Sequence, residues 1–181
     1  MSQPLHHLYL TGYRGSGKTS VGKLLGMKLN RPVIDLDDRI EWSAKISIRE
    51  IFEREGESGF RDRESSELLQ ISKESPSVVS LGGGAVLREQ NQQVLEATGF
   101  CVWLKVDADT VLERLTQDSN TATRRPSLTH LPAREEVLTL LMARAPIYAS
   151  VSNAQIDVMR KSIKAIAEEI ISLLPEPPPS H

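Results

Sequence analysis

Cysteine is almost missing from this chain of 181 residues. Cys101 stands alone, which excludes an intrachain disulfide and a Cys-x-x-Cys metal site. It sits in the apolar run Phe100-Cys101-Val102-Trp103-Leu104, where a buried structural thiol is expected rather than a nucleophile. The four histidines, His6, His7, His130 and His181, have no helical metal-ligand spacing. Aromatics are only 4%, so the core must rest on Leu, Ile and Val. Neither sign of charge is in excess: 22 basic against 24 acidic residues give a net −2. Without a positive surplus to release counterions, a nucleic-acid partner is not expected. No stretch approaches the ~20 apolar residues of a membrane span, so no membrane partner is expected either. Met1-Ser2-Gln3-Pro4 lacks the charged-then-apolar pattern of a secretory signal. These exclusions leave a cytoplasmic globular protein, expected to be a monomer.

The balance that remains, 39% hydrophobic and 25% charged, suits one compact domain over 1–174. The end, 175–181, holds four of the ten prolines and reads as an extended tail. Of the 22 basic residues, 14 are Arg, the side chain suited to planar grips on carboxylate and phosphate.

Apolar patterning predicts alternating strands and helices. Short strands are expected at 8–10, 33–35, 77–81, 100–106 and 154–158. Helices are expected at 18–29, 48–54, 60–72, 91–97, 109–116, 134–148 and 162–174. The polar segment 119–130 has no period and reads as a loop. The alternation predicts an α/β fold, a parallel sheet with helices on both faces.

The chemistry begins at Gly12-Tyr13-Arg14-Gly15-Ser16-Gly17-Lys18-Thr19, a full match to GxxxxGK[ST] between a strand and a helix. Its glycines let several backbone N–H groups face one concavity, and the next helix adds the positive end of its dipole. Gly12, Gly15, Ser16, Gly17, Lys18, Thr19 and Ser20 are therefore the expected nucleotide-binding residues. Lys18 is placed to reach the outer phosphates of ATP, and the Thr19 hydroxyl to bind Mg²⁺. No NKxD guanine signature occurs, and the length leaves little room for motor machinery. A kinase of a small molecule or a nucleotide is the leading class.

Three further groups follow predicted strands, the edge at which α/β sheets bind ligands. In Asp35-Leu36-Asp37, alternate positions of an extended segment put both carboxylates on one side. The competing reading is an N-cap for the next helix, a role Asp37 or Asp38 can fill. Arg61 and Glu64 lie three apart on a predicted helix and can pair; a solvated helix face is the alternative. Gly82-Gly83-Gly84 fits close approach of a ligand, or simply a flexible turn.

Taken in order, these segments resemble the shikimate kinases. The resemblance spans 8–174 and includes Ser47-Ile48-Arg49-Glu50-Ile51-Phe52, Gly56-Glu57, Ser80 to Val86, Arg125-Pro126 and Arg144-Ala145-Pro146-Ile147-Tyr148. It implies ATP-dependent phosphorylation of the 3-hydroxyl of shikimate, on the route to chorismate. It also implies a five-stranded parallel sheet in order 2-3-1-4-5, a substrate-binding helical region and a closing lid at 119–130. By the same resemblance, Arg61 and Arg144 grip the substrate carboxylate, and Gly82, Gly83 and Gly84 approach the substrate with their backbone. Asp37 holds ring hydroxyls and takes a proton, while Asp35 and Thr19 form the Mg²⁺ side. Arg125 resembles the catalytic lid arginine, with Arg124 the alternative, and Arg114 and Arg160 are candidates for the adenine side. The chain departs from the family in a longer 119–124 stretch and in Ser127, where Leu is usual. Two rival readings are a gluconate kinase and a nucleotide-binding module without turnover.

Overall fold

A computed structural model describes residues 7–117 and 131–175. The expected lid at 119–130, with Arg124 and Arg125, lies outside the described residues, as does the tail from 176. The chain runs β1 (His7–Thr11), α1 (Lys18–Leu29), β2 (Val33–Asp35), α2 (Leu36–Ala44), α3 (Ile48–Ile71) and β3 (Val78–Ser80). After a single 3₁₀ turn at Ala85–Leu87 come α4 (Glu89–Thr98), β4 (Gly99–Lys105) and α5 (Ala108–Gln117). It ends with α6 (Ala133–Val151), β5 (Ala154–Asp157) and α7 (Ile163–Leu173).

The five strands form one parallel sheet in the order β2-β3-β1-β4-β5, as the resemblance implies. Residue alternation along β1 divides the core in two. Leu8 and Leu10 face α1 and α7, meeting Val21, Leu25, Ile166 and Ile170. Tyr9 faces the other layer, where Leu36, Ile40, Ile51, Phe60, Leu68 and Tyr148 pack. Cys101 belongs to that second layer, and burial pushes its thiol up to about 12, so it stays protonated and inert at neutral pH. A smaller cluster of Tyr13, Ala108, Val111 and Val137 packs the phosphate loop against α5 and α6.

Two departures from the sequence reading shape the site. Apolar patterning predicts no helix between 35 and 48, yet α2 starts directly at the end of β2, in keeping with the N-cap alternative for the acidic segment. Asp35 is its N-cap, accepting from the backbone N–H of Asp37 and Asp38, so neither of those residues takes the cap. Asp37 accordingly lies in the first turn of a helix, not on an extended segment. The predicted pieces 48–54 and 60–72 are the two arms of α3, which opens on a Ser47–Glu50 capping box and kinks at Gly56 (φ 69°, ψ −175°). A positive φ at that point is what glycine permits.

Candidate active site

Because every strand is parallel, the carboxyl ends of β1, β2 and β3 share one edge of the sheet. A cavity of about 600 Å³ opens there, lined by Gly15, Gly17, Lys18, Thr19, Ser20, Asp35, Asp37, Gly82, Gly83 and Arg144, among others. Residues far apart in the chain are thus brought onto one wall by topology alone.

The phosphate loop is tightly built. At Gly12 (φ 142°) an added Cβ would lie 2.6 Å from the Leu104 carbonyl oxygen, so both conformation and space require glycine. Lys18 Nζ folds over the loop, donating to the Gly12 carbonyl at 2.8 Å, the Tyr13 carbonyl at 2.9 Å and Ser16 Oγ at 3.3 Å. Arg114 Nη1 donates to the Gly15 carbonyl at 2.8 Å, which ties α5 to the loop from the cavity side. Arg160 is exposed in the turn before α7 and does not line the cavity.

Thr19 Oγ1 donates to Asp35 Oδ2 at 3.0 Å, joining the start of α1 to the end of β2. Burial, then the neighbouring carboxylates Asp37 and Asp38, hold the Asp35 pKa above its ordinary value. A cation beside Asp35 would relieve that penalty. Among the described residues, no group of three or more His, Cys, Asp or Glu is arranged to hold a metal by itself. One hydroxyl and one carboxylate suit Mg²⁺, which keeps waters and phosphate oxygens in most of its positions.

The raised pKa carries a prediction about stability. The charged form of Asp35 is disfavoured on folding at pH 7, and this penalty fades as pH falls through the folded pKa. Asp35→Asn keeps an N-capping oxygen and removes the charge. Its metal-free melting midpoint at pH 7 should equal or exceed the parent's, with the gap narrowing in acid. A clearly lower midpoint at pH 7 would contradict the burial argument.

The opposite wall is the glycine loop between two arginines. Arg144, 7% exposed on α6, lines the cavity and donates from Nη1 to the Gly83 carbonyl at 3.2 Å. The Tyr148 hydroxyl, one helical turn on, donates to the same carbonyl. Arg61 lies behind the loop, 6% exposed, and does not line the cavity. Its Nη1 donates to the buried Glu64 carboxylate at 2.7 Å and its Nη2 to Glu57 at 3.3 Å. A Cβ at Gly84 would come within 2.3 Å of the Arg61 guanidinium, so that loop and arginine are in direct contact.

The model of the family described as shikimate kinase matches residues 14–175. This chain belongs to that family. The shikimate kinase of Rhodopirellula baltica is 44% identical over 93% of this chain and 90% of its own length. The solved structure of shikimate kinase from Acinetobacter baumannii in complex with shikimate superposes with a TM-score of 0.86 at 33% identity, covering 93% of this chain and 92% of that one. A gluconokinase from Sinorhizobium meliloti reaches a TM-score of 0.54 at 17% identity, covering 95% of this chain and 93% of that one, a likeness of fold alone.

Within this member of the family, most of the expected site residues meet around the one cavity. Arg61 and Gly84 stand immediately behind it, Arg160 stands apart, and Arg125 lies outside the described residues. Arg14, Phe52 and Glu136 also line the cavity and Tyr148 supports it, and sequence patterns give none of them a role of its own. The four-residue spacing of Arg144 and Tyr148 was a usable signal, since it puts both on one helix face. The Arg14–Glu136 pair, 122 residues apart, left none.

Proposed function

We infer that this chain transfers the outer phosphoryl group of ATP to the 3-hydroxyl of shikimate. The observation that carries the reading is a cavity shared by the phosphate loop, Asp37, Gly83 and Arg144, in a chain of the shikimate kinase family. Phosphoryl transfer asks a protein mainly for positioning and charge stabilisation, and each wall supplies one part.

On the donor side, Gly12, Gly15, Ser16, Gly17 and Ser20 surround the phosphates, and Lys18 turns from its loop carbonyls to the outer phosphate oxygens. Thr19 and Asp35 would hold Mg²⁺, which when bound neutralises charge on the phosphates. Arg114 stands beside the loop where the rest of the nucleotide would lie; Arg160, exposed, is the remoter candidate for the adenine. On the acceptor side, Arg144 meets the shikimate carboxylate, Arg61 supports the same grip from behind Gly84, and Gly82 and Gly83 offer backbone groups. Asp37 orients the attacking hydroxyl and takes its proton. Arg125, on a lid at 119–130, would close over the phosphates and exclude water as a rival nucleophile. The reading includes a monomer acting in the cytoplasm, where ATP is abundant.

Incubation with ATP, Mg²⁺ and either shikimate or gluconate, followed by measurement of ADP, tests this directly. ADP should form with shikimate and not with gluconate. Absence of shikimate-dependent ADP overturns the reading.

Gly84→Ala gives a sharper test of the acceptor wall. The alanine methyl must displace the Arg61 guanidinium, which is buried and anchored by Glu64 and cannot swing aside freely. The KM for shikimate should rise about tenfold or more, with the KM for ATP little changed. Equal effects on both KM values would show a general loosening instead.

A further inference from the structure

The phosphate-loop pattern places no demand on the residue at position 14. Arg14 nevertheless puts a guanidinium into the cavity shared by Lys18, Asp37 and Arg144. Its Nη2 donates to Glu136 Oε1 over a long 3.4 Å, and Glu136 is itself only 3% exposed. Its Nε is buried and has no hydrogen-bond partner among the described residues. The Arg14 and Arg144 guanidiniums both lie against the Tyr13 ring, 5.8 and 5.9 Å from its centroid. Two cations are thus drawn to one ring at the junction of the phosphate loop and the acceptor wall, and a buried donor remains to be satisfied.

We propose that Arg14 is a further substrate-contacting residue, one that binds an oxyanion at the junction between donor and acceptor, with Glu136 as its positioning residue. An oxyanion there would meet two guanidinium groups in place of one, and a turn of the Arg14 side chain toward it would give the Nε–H an acceptor. Two such groups are at hand if the proposed function holds, the outer phosphoryl of ATP and the shikimate carboxylate. The phosphoryl is the expected one. Arg14 directly follows Gly12 and Tyr13, whose carbonyls hold the Lys18 ammonium, so its backbone sits where the outer phosphate is received. A guanidinium there stabilises the charge of the transferring group.

The rival explanation is that Arg14 only neutralises the buried Glu136. Calorimetric titration separates the two without requiring turnover. Wild type, Arg14→Met and the double variant Arg14→Met/Glu136→Gln are each titrated with ADP, with a non-hydrolysable ATP analogue and with shikimate. Arg14→Met should lose about 10- to 100-fold of the preference for triphosphate over diphosphate, the worth of one charge-assisted contact. The double variant should lose as much. Loss of shikimate affinity with the triphosphate preference retained would also support an oxyanion contact, and would assign it to the carboxylate. Unchanged affinities in Arg14→Met, or recovery in the double variant, overturn the proposal. Should Arg14→Met fail to fold, the double variant, which removes the buried Glu136 charge together with the Arg14 guanidinium, carries the same measurement. Failure of wild type to turn over shikimate would sink the proposed function and leave these binding outcomes readable.

Discussion

Lys18→Ala is expected to abolish phosphoryl transfer almost completely while the protein remains folded. Among the contacts of the ammonium are two backbone carbonyls and the Ser16 hydroxyl, all within the loop. Those acceptors belong to the loop itself, and the packing of α1 rests elsewhere, on Val21 and Leu25 against the sheet. Removing the side chain therefore leaves the two core layers untouched. Turnover is another matter. The ammonium is the cation that must move to the outer phosphate, and a single donor aimed at developing charge is worth roughly 10²–10³ in rate. A fall of at least that size is expected, with a circular-dichroism melt close to wild type on the same sample. Near-normal turnover would remove Lys18 from the mechanism. A collapsed melt would mean that the loop contacts hold the fold together, against the packing just described.

How much of this arrangement local sequence patterns reveal depends on the range over which each interaction acts. The phosphate loop shows fully, because its requirements are local: glycines at φ angles other residues avoid, then a helix start. The strands show as well, since Leu8, Tyr9 and Leu10 need only alternate to serve two layers. Helix α2 does not show. Only Leu36 and Ile40 are buried among its nine residues, too few for a clear period, and its cap is the same Asp35 whose carboxylate faces Thr19. One residue doing two jobs conceals the boundary between strand and helix. The resemblance assigns Arg61 to the site, and its place behind Gly84 depends on how α3 lies across the glycine loop, a tertiary matter. Arg160 is exposed in a turn, a placement that depends on tertiary structure and that no local pattern gives. The pair of Arg14 and Glu136 is beyond any local pattern, because the fold alone closes 122 residues of separation.

The acceptor side separates gripping from chemistry, and the structure sharpens how that separation should be measured. Asp37 lines the cavity from the first turn of α2, opposite the phosphate loop. Its role in orienting and deprotonating the attacking hydroxyl matters most at the transition state. Asp37→Asn keeps size and hydrogen bonding but removes the base, so kcat should fall by roughly 10²-fold or more, with shikimate binding weakened far less. Arg144 and Arg61 would hold a carboxylate present in ground and transition states alike. Loss of either should mainly weaken shikimate binding, by about 1.5–3 kcal/mol for a charge-assisted hydrogen bond. The two arginines differ in what else they hold. Arg144 gives up a contact to the Gly83 carbonyl, which Tyr148 also serves. Arg61→Ala removes the guanidinium 2.7 Å from Glu64, which is fully buried, and breaking such a pair destabilises a protein by about 3–5 kcal/mol. Arg144→Ala is therefore the clean comparison for Asp37→Asn, and Arg61→Ala should show the same loss of binding together with a clearly lower melting midpoint. If calorimetry and steady-state rates instead show Asp37→Asn losing binding and Arg144→Ala losing kcat, the two roles must be exchanged, whatever the substrate proves to be.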